Sequence, residues 1–282
     1  MKLLPQVQSE LDACSIPYRV VRTESLEHGI EEAQRAAESG EIPVVMSGDG
    51  LVGQVGGALA ETDASLGVIP GGRGNDLARV LGIPSDPAGA VGVLAAGGER
   101  RIDVGVANGS RFLGVASCGF DSDANRIANE ARLVKGNLVY AYAAIRALIA
   151  WRPATFTLIL EGGEPITYEG YSVAAANSRA FGGGMFVAPH AELDDGELDV
   201  ITVSDVNKLR YVKGLPKAFK GTHLENEEVE ERRAATVEIR ADREFAVYAD
   251  GEHLTDLPAT LSVLPHALRV IAPPGRLVDP PS

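Results

Sequence analysis

The sequence has few cysteines, few aromatic residues and fewer basic than acidic side chains. Two cysteines, Cys14 and Cys118, are too few for a disulfide framework, which favours a reducing, cytoplasmic compartment. The 26 Lys and Arg against 39 Asp and Glu give a formal net charge of −13. This balance argues against a nucleic-acid or polybasic membrane surface, because both need clustered basic residues, although the sum leaves room for a local basic face. No apolar run approaches the roughly 20 residues that span a bilayer, and the N-terminus does not look like a secretory signal.

Several catalytic motifs are also missing. The five histidines show no His-Glu-x-x-His spacing, and neither cysteine has a Cys-x-x-Cys partner. The sequence has no Gly-x-Ser-x-Gly elbow, and its glycine turns lack the Gly-Lys-Ser/Thr of a Walker loop. These absences exclude a zinc hydrolase, a serine hydrolase and a P-loop enzyme.

Two short apolar runs do end in glycine-rich turns. Val44–Met46 leads into Ser47-Gly48-Asp49-Gly50-Leu51, and Leu66–Ile69 leads into Gly71-Gly72-Arg73-Gly74-Asn75-Asp76. Turns that follow neighbouring parallel strands open on one sheet edge, and their backbone N–H groups suit an anion. The pair therefore predicts a site for a nucleotide triphosphate.

Acidic residues in these and later turns allow two interpretations. Asp49 could hold Mg²⁺ or accept a proton, or simply cap the next helix. Asp76 could be a second carboxylate of the same cleft, with Arg73 beside the phosphates, or part of a cap at Asn75-Asp76. Asp250-Gly251-Glu252 is by composition a hairpin turn, which only a cleft between domains would bring to Asp49. The turns at residues 181–185 and 194–196 are by themselves ordinary turns.

The order of predicted elements indicates an N-terminal parallel α/β domain followed by an antiparallel β-sandwich. We place the first domain at residues 1–98, the sandwich at 99–266, and a segment returning to the first domain at 267–282, with Leu268–Ile271 as its candidate contact. Two longer helical stretches, Asp121–Trp151 and Lys208–Phe219, interrupt the sandwich. The other predicted helices cover residues 3–11, 26–37, 51–60 and 76–81, and the predicted strands are Tyr18–Arg22, Val44–Met46, Leu66–Ile69, Ile102–Val106, Phe156–Leu160, Tyr171–Ala175, Leu198–Val203, Ala235–Arg240, Phe245–Tyr248 and Leu261–Leu264.

Taken together, the motifs resemble the diacylglycerol kinase and sphingosine kinase superfamily, especially its bacterial soluble lipid kinases. Residues 47–51 are similar to that family's Gly-Gly-Asp-Gly-Thr loop, and residues 72–79 to its Gly-Thr-Gly-Asn-Asp-Phe-Ala-Arg. Residues 182–196 are similar to the stretch before a structural Mg²⁺ site, and residues 250–252 to the family's Asp-Gly-Glu turn. The resemblance covers nearly the whole chain, with these motifs in order.

The resemblance implies a kinase that binds ATP and Mg²⁺ between a domain like that of NAD kinase and phosphofructokinase and a lipid-binding sandwich. A lipid hydroxyl, most readily that of diacylglycerol, would attack the γ-phosphate. Implied catalytic residues are Asp49 and Glu252, for proton acceptance and Mg²⁺ positioning, with Asp250 orienting them. The implied structural metal ligands are the Asp195 carboxylate and the backbone carbonyls of Glu192 and Glu197. The implied nucleotide-binding residues are Thr23, Ser47, Gly48, Asp49, Gly50, Leu51, Gly53, Gly72, Arg73, Gly74 and Asn75.

Three departures from the family pattern matter. Leu51 and Arg73 replace threonines, which removes two hydroxyl donors, although Arg73 can donate with its charge. The family's opening strand, with its Asn-Pro-x-Ser-Gly turn, does not occur in this sequence. We expect either a start upstream of Met1, which we favour, or a weakened kinase.

Two rival functions stay open: NAD kinase, and a nucleotide- or lipid-binding protein without turnover. We expect peripheral, transient membrane contact, with Gly136–Trp151 as a candidate segment, and a homodimer is possible. The identity of the lipid acceptor is not determined by these motifs.

Overall fold

The computed structural model describes residues 3–120, 122 and 151–281. The predicted helix over 121–151 and the candidate membrane segment within it fall almost wholly outside these residues. The helices are α1 (Leu4–Ala13), α2 (Leu26–Glu38), α3 (Asp49–Leu59), α4 (Asp76–Val80), α5 (Pro87–Ala96) and α6 (Lys208–Ala218), with a 3-10 turn at Thr222–Glu225. The strands are β1 (Val44–Ser47), β2 (Ser65–Pro70), β3 (Glu99–Ala107), β4 (Ser110–Phe112), β5 (Val115–Gly119), β6 (Ala154–Leu160), β7 (Ile166–Ala176), β8 (Leu198–Ser204), β9 (Val229–Ala234), β10 (Thr236–Ala241), β11 (Ala246–Ala249), β12 (Glu252–Asp256) and β13 (Ala259–Ile271).

The N-terminal part is the predicted α/β arrangement. β1 and β2 pair in parallel, with Val45 opposite Val68, and every residue of β2 is buried. Such an apolar strand is typical of a parallel sheet covered by helices. The Ser25 hydroxyl caps α2 by accepting from the His28 N–H at 3.2 Å, and α2 packs against α3.

The C-terminal part is the predicted antiparallel β structure. Its strands lie in the order β10-β6-β7-β5-β11-β12, and β8 and β9 extend from β7. The interior is apolar and partly aromatic, and the Tyr171 ring stacks on the Tyr211 ring of α6 with centroids 4.1 Å apart. This stacking fixes the inner face of α6 on the sheet.

The long strand β13 connects the two parts. Its first half pairs with β10 and β3, and after a register break between Leu264 and Leu268 its second half runs parallel to β2. Beyond it, the Val278 N–H donates to the Val80 carbonyl at 2.9 Å, and Leu277 is buried in the N-terminal core. The terminal segment therefore packs on the α/β part, while the exact domain limits stay a prediction.

The predicted strand at Tyr18–Arg22 is wrong. These residues are extended and exposed, and no strand in the described part of the chain pairs with them. The segment is held instead by its side chains, since Arg19 forms ion pairs with Glu32 of α2 and with Glu41. Alternating apolar residues form a strand only when a hydrogen-bonding partner is available.

Helix α5 was not predicted, although its boundaries have ordinary signals. Pro87 occupies the first turn, the Asp86 carboxylate accepts from the Gly89 N–H at 2.8 Å, and Gly97 ends the helix at φ +63°. Its evenly apolar composition lacks the periodicity by which amphipathic helices are recognised.

Candidate active site

The two glycine turns lie against each other at the carboxyl end of β1 and β2. The Gly71 N–H donates to the Ser47 carbonyl at 2.9 Å. A Cβ added to Gly48 would lie 3.2 Å from the Gly72 Cα, and one added to Gly72 would collide with the Gly48 backbone. Only glycines allow the turns to approach this closely.

Asp49, from the first turn, caps the helix that follows the second turn. Its Oδ1 accepts hydrogen bonds from the backbone N–H groups of Asp76, at 2.7 Å, and Leu77, at 3.4 Å. These are donors at the start of α4, which lack partners inside that helix. The alternative that Asp49 caps the next helix is therefore wrong, because Asp49 is the first residue of α3 and caps α4 instead.

Asp76 is a buried carboxylate beside Asp49. Its Oδ2 accepts from the Gly183 N–H at 2.8 Å, whereas its buried Oδ1 has no hydrogen-bond partner among the described residues. Arg79 lies 3.8 Å from Oδ1, a weak ion-pair distance. Burial, and to a smaller extent the charge of Asp49, raise the pKa of Asp76.

Asp250 brings the β11–β12 turn to the same place from the far end of the chain. Its two carboxylate oxygens accept from the backbone N–H groups of Leu113, at 2.9 Å, and Gly114, at 3.0 Å. Burial raises the pKa of Asp250 to about 7, the charges of Asp49 and Asp76 add to this, and the two amides oppose it. Asp250 has φ +53° and Gly251 φ +87°, which suit a two-residue hairpin turn.

Glu252 and Asp250 both lie against the start of α3. A Cβ on Gly50 would be 3.3 Å from Oε1 of Glu252, and one on Gly53 would be 2.5 Å from Oδ2 of Asp250. The Glu252 side chain is exposed. Carboxylates separated by about 200 residues in sequence thus meet across the two parts of the molecule.

The other predicted nucleotide residues occupy the rim of this region. Thr23 and Leu51 both lie beside Gly29 of α2, with the Leu51 side chain packed on that helix. Arg73 is exposed at the tip of the second turn. The Gly72 N–H donates to the Asn75 Oδ1 at 2.8 Å. That amide is therefore engaged within the turn.

The side chains of the three predicted structural metal ligands, Asp195, Glu192 and Glu197, form ion pairs with two different arginines. Asp195 accepts from the Glu197 N–H at 3.0 Å and forms an ion pair with Arg233, which also binds Glu197. The Glu192 carboxylate pairs instead with Arg179, at 2.6 Å. No group of three acidic, histidine or cysteine side chains within residues 3–120, 122 and 151–281 is arranged to hold a metal ion. The carbonyl-based site stays a prediction.

Three participants were not identified as site residues from the sequence. The Leu113 and Gly114 amides hold Asp250, and the Gly183 amide holds Asp76. The first two carry no sequence signal, since any residue except proline has a backbone N–H. The glycine run at residues 182–184 was a signal, but it was assigned to the metal-site stretch.

Two family models together match almost the whole chain. The model described as the diacylglycerol kinase catalytic domain matches residues 1–107. The model described as the YegS C-terminal NAD kinase beta sandwich-like domain matches residues 114–272.

Curated relatives agree with these models. A protein named diacylglycerol kinase from Mycobacterium tuberculosis strain H37Rv is 37% identical over 247 residues, which cover 86% of this chain and 80% of the relative. A protein named "Probable lipid kinase YegS-like" from Chromohalobacter salexigens is 31% identical over 262 residues, covering 88% and 81%.

Solved structures show the same fold. A diacylglycerol kinase from Bacillus anthracis strain Sterne superposes with a TM-score of 0.73 at 21% identity, covering 96% of this chain and 92% of that one. An NAD kinase from Archaeoglobus fulgidus in complex with ATP superposes at 0.52 with 11% identity, covering 95% and 88%.

Proposed function

The chain belongs to the diacylglycerol kinase family of lipid kinases, and from this premise we propose that it transfers the γ-phosphate of ATP to the hydroxyl of diacylglycerol. The product would be phosphatidic acid. The observation that carries the proposal is the meeting of Asp49, Asp76 and Asp250, with Glu252 beside Gly50. Phosphoryl transfer needs such converging acidic groups to position cations and to accept a proton.

The carboxylates also fit Mg²⁺ carried by a nucleotide. Asp76 Oδ1 is a buried anionic oxygen whose described surroundings offer no hydrogen bond. Mg²⁺ usually takes one or two protein carboxylates and completes its shell with phosphate oxygens and water. We therefore assign Asp76, with Asp49 beside it, to the cation that accompanies ATP. When bound, Mg²⁺ would neutralise charge that develops on the phosphates.

The glycine turns are the proposed phosphate cradle. The lack of side chains at Gly48, Gly50 and Gly74 lets these turns lie close to each other and to the carboxylates. The exposed Arg73 guanidinium can pair with phosphate oxygens. Asp49 holds the second turn through the start of α4, so it sets the geometry of the cradle as well as its charge.

Glu252 is the proposed proton acceptor. Its exposed carboxylate lies beside Gly50 at the start of α3, where a lipid hydroxyl can approach, and Asp250 fixes the turn that carries it. The hydroxyl proton passes to a Glu252 oxygen while the hydroxyl oxygen bonds to the γ-phosphorus. The bond between that phosphorus and the β–γ bridging oxygen breaks, and ADP leaves.

The test is transfer of labelled γ-phosphate from ATP to diacylglycerol in mixed micelles. We expect label in phosphatidic acid, and we expect Glu252→Gln to lower kcat by about 10²- to 10⁴-fold, the usual contribution of a general base. Glu244→Gln, an exposed glutamate of the same part of the molecule, is the matched control and should leave kcat unchanged.

Parallel reactions with NAD⁺ and with a sphingoid base test the acceptor class. Label in NAD⁺ but not in lipid would replace the proposal with NAD kinase activity. Nucleotide binding by calorimetry without transfer to any acceptor would replace it with a binding protein.

A further inference from the structure

Helix α6 has an exposed apolar strip on its outer side. Leu209, Val212, Leu215 and Phe219, at its C-terminal cap, are 65%, 41%, 36% and 46% exposed. Leu209, Val212 and Phe219, with the exposed Pro216, recur at intervals of three and four residues, so they share one side of the helix. Leu209, Val212, Leu215 and Phe219 are four of the large apolar side chains that are exposed in the described part of the chain.

Most of the lysines in the sequence lie on this helix or just beyond its end. Of six lysines, Lys2 and Lys135 lie elsewhere, and Lys208, Lys213, Lys217 and Lys220 lie within thirteen residues. Residues 206–220 contain no acidic residue, although the whole chain has a net charge of −13. A basic, apolar surface on an acidic protein indicates selection for an anionic partner.

The strip cannot turn inward, because the other side of α6 is fixed. Tyr211 is buried by stacking on Tyr171, and Arg210 is held by the Glu228 carboxylate at 2.7 Å. Lys213 and Lys217 are four residues apart on α6, and Lys220 lies two residues beyond its end, so they form a basic strip next to the apolar one. The Lys217 Nζ also donates to the Asn226 Oδ1 at 2.6 Å. The helix therefore has a buried, an apolar and a basic side.

The C-terminal end of α6 is connected to the candidate active site through one loop. The Phe186 N–H donates to the Ala218 carbonyl at 2.8 Å, and Phe181 and Met185 pair within that loop. The Gly183 N–H, from the same loop, donates to Asp76. A partner bound on α6 would thus lie next to the loop that contacts the acidic cluster.

We propose that the outer face of α6, defined by Leu209, Val212, Leu215, Phe219 and the lysines at 213, 217 and 220, docks on the surface of an anionic phospholipid bilayer. The apolar strip enters the interface while the lysines stay at the headgroups, the usual arrangement of interfacial helices. No helix of the described chain is long and apolar enough to cross a membrane. The inference rests on the proposed function, whose acceptor is a lipid, but it identifies a surface that is separate from the reacting groups.

The experiment is flotation of the full-length chain, without nucleotide, on vesicles of phosphatidylcholine alone and of phosphatidylcholine mixed with phosphatidylglycerol. We expect binding only to the anionic mixture, and weaker binding at high salt. Lys213→Glu with Lys217→Glu should weaken it by at least about 25-fold, since each lysine near an anionic surface contributes about fivefold. Leu209→Ser with Phe219→Ser should weaken it several-fold without changing the charge.

The matched control is Arg35→Glu with Arg240→Glu. It makes the same change in net charge at side chains that are 58% and 57% exposed on other elements, and it should bind as the wild type does. If this control loses as much vesicle binding as the lysine variant, the loss is explained by net charge alone and the proposal is overturned. Failure of the wild type to bind the anionic vesicles would also overturn the proposal. So would a protein that binds no vesicles but forms a dimer in solution, if the Leu209 and Phe219 changes dissociate that dimer.

Activity separates this proposal from the proposed function. If the chain phosphorylates a short-chain diacylglycerol dispersed as monomers but does not bind vesicles, the docking surface is wrong and the function stands. If it binds vesicles through α6 but phosphorylates no lipid, the function is wrong and the docking surface stands.

Discussion

Replacing Gly53 by alanine tests the packing of α3 against the turn that carries the catalytic candidates. A Cβ at Gly53 would lie 2.5 Å from Oδ2, 3.0 Å from Cγ and 3.1 Å from Cβ of Asp250. The Asp250 side chain cannot easily withdraw, because its oxygens are bonded to the Leu113 and Gly114 amides. The methyl group must displace either this carboxylate or the helix.

The expected cost follows from two opposing effects. Alanine gains about 1 kcal/mol over glycine in a helix interior. Against this, overpacking costs about 1–3 kcal/mol, and losing one hydrogen bond to a charged group costs about 1.5–3 kcal/mol. We expect a net loss of roughly 1.5–5 kcal/mol in the free energy of unfolding, or a Tm lower by roughly 3–20 °C.

Activity should fall more than stability suggests. A shift of about 1 Å in the turn moves Glu252 relative to the phosphate cradle, and misplacement on that scale can lower kcat about 100-fold. The assays are thermal unfolding and labelled-phosphate transfer at a temperature where the variant is fully folded.

Gly92→Ala provides the matched control. Gly92 also lies inside a helix, α5, but a Cβ there would meet nothing within 4 Å, so this variant should gain about 0.5–1 kcal/mol and keep its activity. A Gly53→Ala variant as stable and active as Gly92→Ala would refute the packing of Asp250 against α3. It would remove the argument that both parts of the molecule build one site.

Two further changes test acidic residues, Asp49 in the candidate site and Asp199 in β8, outside that site. Asp49→Ala should cost about 1 kcal/mol of unfolding free energy, because α4 loses its cap, whereas Asp49→Asn should keep the cap. Thermal unfolding checks this difference. Loss of phosphate transfer in both variants would indicate a role for the charge of Asp49. Burial, then the charge of Glu231, raise the pKa of Asp199 to about 7, against about 3.9 when unfolded. Ionisation of Asp199 therefore has no effect on stability below pH 4. Its destabilising effect grows between pH 4 and 7 and reaches at most about 4 kcal/mol above pH 7. Asp199→Asn should raise stability at pH 8 and not at pH 4 in urea unfolding; equal effects at both pH values would contradict this.

Much of the fold could be predicted because its signals are local. The Ser25 cap, the two apolar runs ending in glycine turns and the alternating strands depend on neighbours within a few residues. Tyr18–Arg22 has the aromatic and β-branched residues typical of a strand and is not one, because pairing requires a partner that local pattern does not reveal. Strands β9 and β12 were missed for the converse reason, since charged residues in them obscure the alternation.

For the candidate site, too, local features could be predicted and contacts between distant residues could not. Its residue types were evident from the motifs at residues 47–51, 72–76 and 250–252, because glycine and carboxylate chemistry can be recognised one segment at a time. The meeting of the first two turns could be expected from neighbouring parallel strands, whereas the approach of residues 250–252 could be expected only through the family resemblance. The capping of α4 by Asp49, the amides that hold Asp250, and the Asp76 oxygen that accepts no hydrogen bond from the described residues required the structure.

The amino-acid sequence by itself indicated most of the helices and strands, and it predicted which turns bind phosphate and which side chains hold a cation or a proton. Tertiary structure decided that the β11–β12 turn lies on the start of α3, that β13 joins both parts, and that the apolar side chains of α6 face outward. The physical reason is that backbone propensity and turn geometry act over a few residues. Burial, desolvation and charge–charge coupling depend instead on groups that are brought together from distant parts of the chain.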